Sequence, residues 1–206
     1  FVLFAADNLV FGNSGALYNN NVVMFDRETR SVWSQMALGC IFGARAGEHL
    51  QAMPVAQGTW AAWKALYPDT QVLSPRTRYE DTRNYNYDPW ILSGYNENGD
   101  VWFPQTPTLD DRLPRKEMVY GLSGSAGALA YPYSELQRYI AVNDHFRETA
   151  LAIFYSPTGR LALGYSRLLA DGRELHFDVV ESTVGDLAPQ FVDSETGSTW
   201  TMLGAA

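Results

Sequence analysis

The 206-residue chain has one cysteine, Cys40, so it cannot close an internal disulfide and holds no CxxC pair for redox or metal chemistry. Lysine is nearly absent, occurring only at 64 and 116, and 15 Lys and Arg stand against 23 Asp and Glu for a net charge of −8. A chain so short of positive charge has little with which to neutralise phosphates, which speaks against nucleic acid and anionic lipid surfaces as partners. Long apolar runs are missing as well: those present are broken by Gly, Pro or charge, below the roughly 18 residues a membrane-spanning helix needs. The three histidines, His49, His145 and His176, lack the spacing of a metal set, so no metal and no cofactor is expected. "GLSGSAG" (121–127) is neither a GxSxG nucleophile elbow nor a phosphate loop with its Lys. Cys40, within "LGCIFG", reads as a buried, inert thiol.

What is present is apolar and aromatic substance, 46% hydrophobic and 14% aromatic, enough for one large core or two small ones. It is also written in part twice. "FDRETRSVWSQM" (25–36) and "FVDSETGSTWTM" (191–202) align Asp26 with Asp193, Glu28 with Glu195, Thr29 with Thr196, Ser31 with Ser198 and Trp33 with Trp200. "LVF" (9–11) and "LHF" (175–177) continue the match with a shift of one residue. Each copy reads as a β-hairpin: apolar, β-branched runs flank a polar turn in which an Asx side chain can bond the turn's own amides. Gly197 stands where the first copy has Arg30, marking a position suited to a left-handed backbone. Trp33 and Trp200 then point from the return strand into a core.

The second copy follows a meander of strand signals with one helical stretch, "YSELQRY" (133–139), whereas the first follows only "FVLFAADN". The repeat therefore predicts that the first unit lacks about 50 leading residues. The edge at Phe1–Phe4 is expected to be covered by a protein partner or by that missing half. The expected fold is mainly β: two related antiparallel β lobes, residues 1–58 and 118–206, joined by 59–117 with a short helix and a long aromatic-rich connector. In that connector "TWAAWKALYP" (59–68) reads as a helix capped by Thr59 and stopped by Pro68, with Trp60, Trp63 and Tyr67 on one face packing into a core. The stretch 79–103 offers Tyr87, Trp90 and Tyr95 as a ligand or partner surface. The densest polar run is "LDDRLPRKE" (109–117), where Asp110 and Asp111 could serve as acid or base and Arg112 as orienting cation. Asn13, Ser14, Asn19, Asn21 and Gln35 are candidate hydrogen-bonders of a pocket. The same run is equally readable as a linker pinned by ion pairs.

"LYNNNVVMFDRETRSVWSQ", "YPDTQVLSPRT", "DPW", "DDRLPRKEMVYGL", "ALAYP", "VND" and "FVDSETGSTW", in this order, resemble the bacterial and archaeal family of unknown function DUF3179 over nearly the whole chain. Arg115 stands where members of the family often have a second proline. The resemblance implies an upstream half bearing a CPxC-type motif and a periplasmic or extracellular home, and it brings no established activity. Two functions are carried forward. One is an extracytoplasmic binding or assembly module, a subunit of a larger complex. The other is a hydrolase of a polar or glycan-like substrate built on Asp110, Asp111 and Arg112.

Overall fold

Antiparallel strands build the chain, in a computed structural model that describes residues 9–51, 55–72, 74, 99, 101, 103, 110–124 and 127–206. The described residues fall into two compact units, one drawn from Phe1–Val55 and Glu97–Arg115, the other from Ala56–Asn96 and Lys116–Ala206. The expected connector is thus divided between them, and the short helix belongs to the second unit.

The first unit is a four-stranded sheet in sequence order: β1 (Phe11–Tyr18), β2 (Asn21–Asp26), β3 (Val32–Ser34) and β4 (Gly39–Phe42). Asn19 and Asn20 make the β1–β2 turn with φ of 48° and 63°. Left-handed conformations at both central residues match the twist of a tight hairpin, and asparagine tolerates them better than most side chains. Near the other end of β1 the register shifts between Asn13 and Leu17, a bulge at which Ser14 Oγ donates to the Val23 carbonyl. Trp33, Cys40 and Leu50 form the buried centre of the unit, with Leu9 and Phe11 packed against it.

The second unit holds the helix α1 (Trp60–Leu66), a hairpin of β5 (Val119–Gly124) and β6 (Gly127–Pro132), and α2 (Tyr133–Tyr139). A meander of β7 (Ala141–Phe146), β8 (Thr149–Ser156) and β9 (Leu161–Ser166) follows, then β10 (Phe177–Val179), β11 (Phe191–Asp193) and β12 (Thr199–Trp200). The run "ALAIFYS" in β8 is buried throughout, as suits a strand covered on both faces. Alternation sorts its residues. Ala152 and Phe154 enter one cluster with Ile140, Leu175, Phe177, Phe191 and Met202, while Ile153 and Tyr155 enter another with Tyr133, Leu136 and Ala162. Phe154 stacks on Phe191 with ring centroids 3.8 Å apart and meets Phe177 edge-on at 5.1 Å.

The helix α1 begins as its sequence implies, with Thr59 Oγ1 accepting from the Ala62 amide at 3.2 Å. Its packing corrects the expectation of an aromatic core face. Trp60, Trp63 and Tyr67 are exposed, and the inward stripe is Ala62, fully buried, with Leu66. At 3.6 residues per turn the centres of these two sets lie roughly 110° apart around the helix. The small residue faces inward because the backbone runs close: a Cβ built on Gly159 would lie 2.8 Å from the Ala62 methyl, which leaves no room for an indole.

The doubly covered strand carries the second unit's cohesion. Phe154→Ala is expected to lower the unfolding free energy by about 3–5 kcal/mol, read as a reduced urea midpoint with an unchanged slope.

Candidate functional site

The two copies of the acidic turn adopt the same bonding. In the first, Asp26 Oδ1 accepts from the Thr29 amide at 2.5 Å, and Asp26 Oδ2 accepts from the Trp33 indole at 2.9 Å. In the second, Asp193 accepts from the Thr196 amide at 2.5 Å and from the Trp200 indole at 2.7 Å. Both threonine hydroxyls also donate to the aspartate and meet the following serine hydroxyl, at 2.7 Å for Ser31 and 2.8 Å for Ser198. The turn closes on its own backbone in each case, through Arg30 N to Asp26 O and Gly197 N to Asp193 O, with φ of 62° at Arg30 and 70° at Gly197.

The likeness extends one strand upstream. Arg27 N donates to Val10 O where Ser194 N donates to His176 O, and Glu28 takes the Val10 amide where Glu195 takes that of His176. Phe11 meets Trp33 edge-on at 5.8 Å, and Phe177 meets Trp200 edge-on at 5.5 Å. Outside this three-strand motif the units differ. A two-residue turn joins β1 to β2, whereas a 3₁₀ turn at Glu181–Thr183 and a longer loop join β10 to β11.

Both aspartates are fully buried. Burial opposes the charge on Asp26, but the Trp33 indole, the Thr29 amide and hydroxyl and the Arg45 charge outweigh it, holding the pKa down to about 2. Asp193 is likewise opposed by burial and held below its ordinary value by the Trp200 indole, Thr196 and the Ser198 amide. These carboxylates are spent on structure. Each is saturated with donors and closed to solvent, which leaves it unable to take a proton from a substrate.

Asp110 and Arg112, expected as part of an active site, pair with each other. Asp110 accepts from the Arg112 amide at 3.1 Å and from Arg112 Nε at 2.8 and 2.9 Å, and Arg112 Nη2 completes the ion pair. Both side chains stand in solvent, 57% and 85% exposed, and Asp111 is exposed beside them. The Arg112 guanidinium holds the Asp110 carboxyl down to about 2, and Asp110 in turn raises Arg112. A carboxylate so placed is a surface anion with its partner two residues away, the linker-pinning arrangement.

The amides separate into two groups. Asn13 Oδ1 accepts from the Gly15 amide at 2.9 Å and Ser14 is engaged at the bulge, so both serve β1 locally. The Gln35 backbone carbonyl accepts from the Leu38 amide at 3.3 Å. Asn19 and Asn21 line a cavity of about 500 Å³ together with Tyr18, Asn20, Ser34, Met36 and Ala37. Asn20 Nδ2 donates to the Phe103 carbonyl at 3.3 Å, yet its Oδ1 and that of Asn21 are buried with no hydrogen-bond partner. Among its described lining residues the cavity carries no formal charge, and it is rimmed by Tyr18 and Met36, 48% and 72% exposed. Tyr18, Asn20, Ser34, Met36 and Ala37 were not among the expected pocket residues. The nearest signal was the asparagine run at 19–21, of which Asn19 and Asn21 were expected to line a pocket. Tyr87, Trp90, Tyr95 and the Phe1–Phe4 edge lie outside the described residues. Among the described residues no three His, Cys, Asp or Glu side chains are grouped to hold a metal ion.

Paired acidic-turn hairpins in antiparallel sheets thus define the class of fold, and the family follows from comparison. The model of the family described as protein of unknown function, DUF3179, matches residues 2–206, and the chain belongs to that family. No curated protein and no solved structure matches it.

The clasped carboxylate predicts the acid response. A carboxyl lowered from its ordinary 3.8 to about 2 contributes stability that is complete above pH 4 and lost as pH falls towards 2. Urea midpoints of the native chain should fall through that window, and Asp26→Asn should flatten the fall while lowering the midpoint at pH 7. An equally steep acid fall in Asp26→Asn would place the titration elsewhere.

Proposed function

We propose that this chain is an extracytoplasmic binding or assembly module that engages its partner at the polar cavity beside the β1–β2 turn. The observation that carries the reading is the pair of unpartnered oxygens, Asn20 Oδ1 and Asn21 Oδ1, in two side chains lining one cavity. Buried acceptors are nearly always satisfied, and leaving one without a donor costs about 1–3 kcal/mol. The turn therefore carries an unrelieved cost that a partner offering N–H or O–H groups would offset after a small rotation of the two amides. With no charge among the described lining, recognition rests on hydrogen bonds and on contact with Tyr18 and Met36 at the rim, as in the polar and aromatic parts of transient interfaces.

A hydrolase reading draws no comparable support. It required Asp110, Asp111 and Arg112 to gather with Asn13, Ser14, Asn19, Asn21 and Gln35, and the first three stand in solvent with Asp110 and Arg112 turned on each other. Among the described residues no helix is long and apolar enough to cross a membrane, which is compatible with a periplasmic or extracellular location and does not select it.

Cross-linking in cells at native abundance, followed by fractionation, tests the reading. The chain is expected outside the cytoplasm and joined to a partner, with joint Asn20→Ala and Asn21→Ala substitution cutting the cross-linked fraction about tenfold, the worth of one hydrogen bond. Recovery of the native chain alone, or unchanged cross-linking of the folded variant, would overturn it.

A further inference from the structure

We propose that the polar cavity beside the β1–β2 turn takes a primary alkylammonium, the head of a lysine side chain presented by the partner. This rests on the reading that the partner is engaged at that cavity, and it names the group that enters. Strands β2 and β3 pair antiparallel with Val23 opposite Ser34, so the start of β2 comes beside the residues that follow β3. The space of about 500 Å³ lies between them, with the asparagine turn on one side and Ser34, Met36 and Ala37 on the other.

The lining asks for donors. Asn20 Oδ1 and Asn21 Oδ1 are buried without a partner. The Asn20 amide is not free to turn about, because its Nδ2 donates to the Phe103 carbonyl at 3.3 Å, an atom that can only accept. The buried Ser34 hydroxyl accepts from the Ala37 amide at 3.1 Å, which leaves its oxygen a second lone pair. An ammonium brings three N–H groups and no lone pair, and its bonds to oxygen are charge-assisted. A hydroxyl or an amide would bring an acceptor of its own that needs a further donor. The planar fork of a guanidinium matches the paired oxygens of a carboxylate, whereas the oxygens here come from a turn and two strands.

Charge points the same way. The chain carries a net charge of −8, a field that draws cations towards it. Its two lysines, Lys64 and Lys116, both belong to the second unit, so the first has no lysine of its own to fill the space. Tyr18 and Met36 at the exposed rim offer a ring and a thioether chain along which the methylene stem of a lysine can lie.

Proton–nitrogen NMR titration of the full chain at fixed ionic strength tests the site, with n-butylammonium, butyltrimethylammonium, 1-butanol, methyl glucoside and lysine capped at both backbone ends. Saturable movement of the Asn20 and Asn21 side-chain amides is expected with n-butylammonium at a Kd of about 1–10 mM, and at least as tightly with the capped lysine. Butyltrimethylammonium keeps the charge but has no N–H, and 1-butanol keeps the stem but has no charge; each should bind at least about tenfold more weakly. Asn20→Gly, which suits the left-handed turn, and Asn21→Ala should each weaken n-butylammonium about tenfold. Equal binding of 1-butanol or butyltrimethylammonium, tighter binding of methyl glucoside at these amides, or unchanged binding by both folded variants would overturn the ammonium while leaving the cavity a site for other chemistry. Binding of n-butylammonium without the capped lysine would overturn the lysine source. If no probe moves these amides the ammonium proposal fails outright, and whether the cavity engages a partner is then decided separately by cross-linking of the joint Asn20 and Asn21 variant.

Discussion

A buried carboxylate held by a tryptophan indole is the constraint on which the described structure turns. Asp26 and Asp193 are the chain's only fully buried acidic groups among the described residues, and each stays charged because a threonine and an indole N–H surround it with donors. An isolated carboxylate at such a position would be costly, and a merely turn-forming one would not need burial. Linking the two requirements makes the hairpin and the core interdependent. The carboxylate bonds the turn's amide and threonine hydroxyl, and the cost of burying it is offset by the indole that the return strand delivers.

From that linkage the packing follows. Trp33 sits fully buried with Cys40 and Leu50, its ring edge-on to Phe11 on the strand before the turn. Trp200 stands the same way to Phe177, which meets Phe154 of the doubly covered strand β8. In the second unit the clasp is therefore continuous with the main core, while in the first it forms most of the core there is. Within the first unit the cavity borders the asparagine turn, at the end of β2 opposite the Asp26 clasp, as expected where a rigid scaffold presents variable loops.

The Asx turn was legible in sequence because its chemistry is local, whereas the indole bond to the buried aspartate, seven residues on, was not read there. The strand β8 was legible for the same kind of reason, an unbroken apolar run. The orientation of α1 was not. Its sequence offers two faces, one aromatic and one of Ala62 and Leu66, and the choice was made by Gly159, a residue far along the chain whose backbone approaches too closely for a ring. A dense run of charge at 109–117 suggested chemistry, but Asp110 found its partner two residues on. Of the two unpartnered oxygens, that of Asn21 belongs to an expected pocket residue and that of Asn20 does not, because whether a buried acceptor has a donor is settled only by what packs around it.

Proton–nitrogen NMR of the six tryptophan indoles, followed from pH 7 down to pH 2, measures the clasp itself. The account predicts that the Trp33 and Trp200 indole N–H groups exchange slowly with solvent and shift as their aspartates take up protons below the ordinary carboxylate range, while the exposed Trp60 does neither. Fast exchange at Trp33 and Trp200, or resonances insensitive to acid, would contradict it.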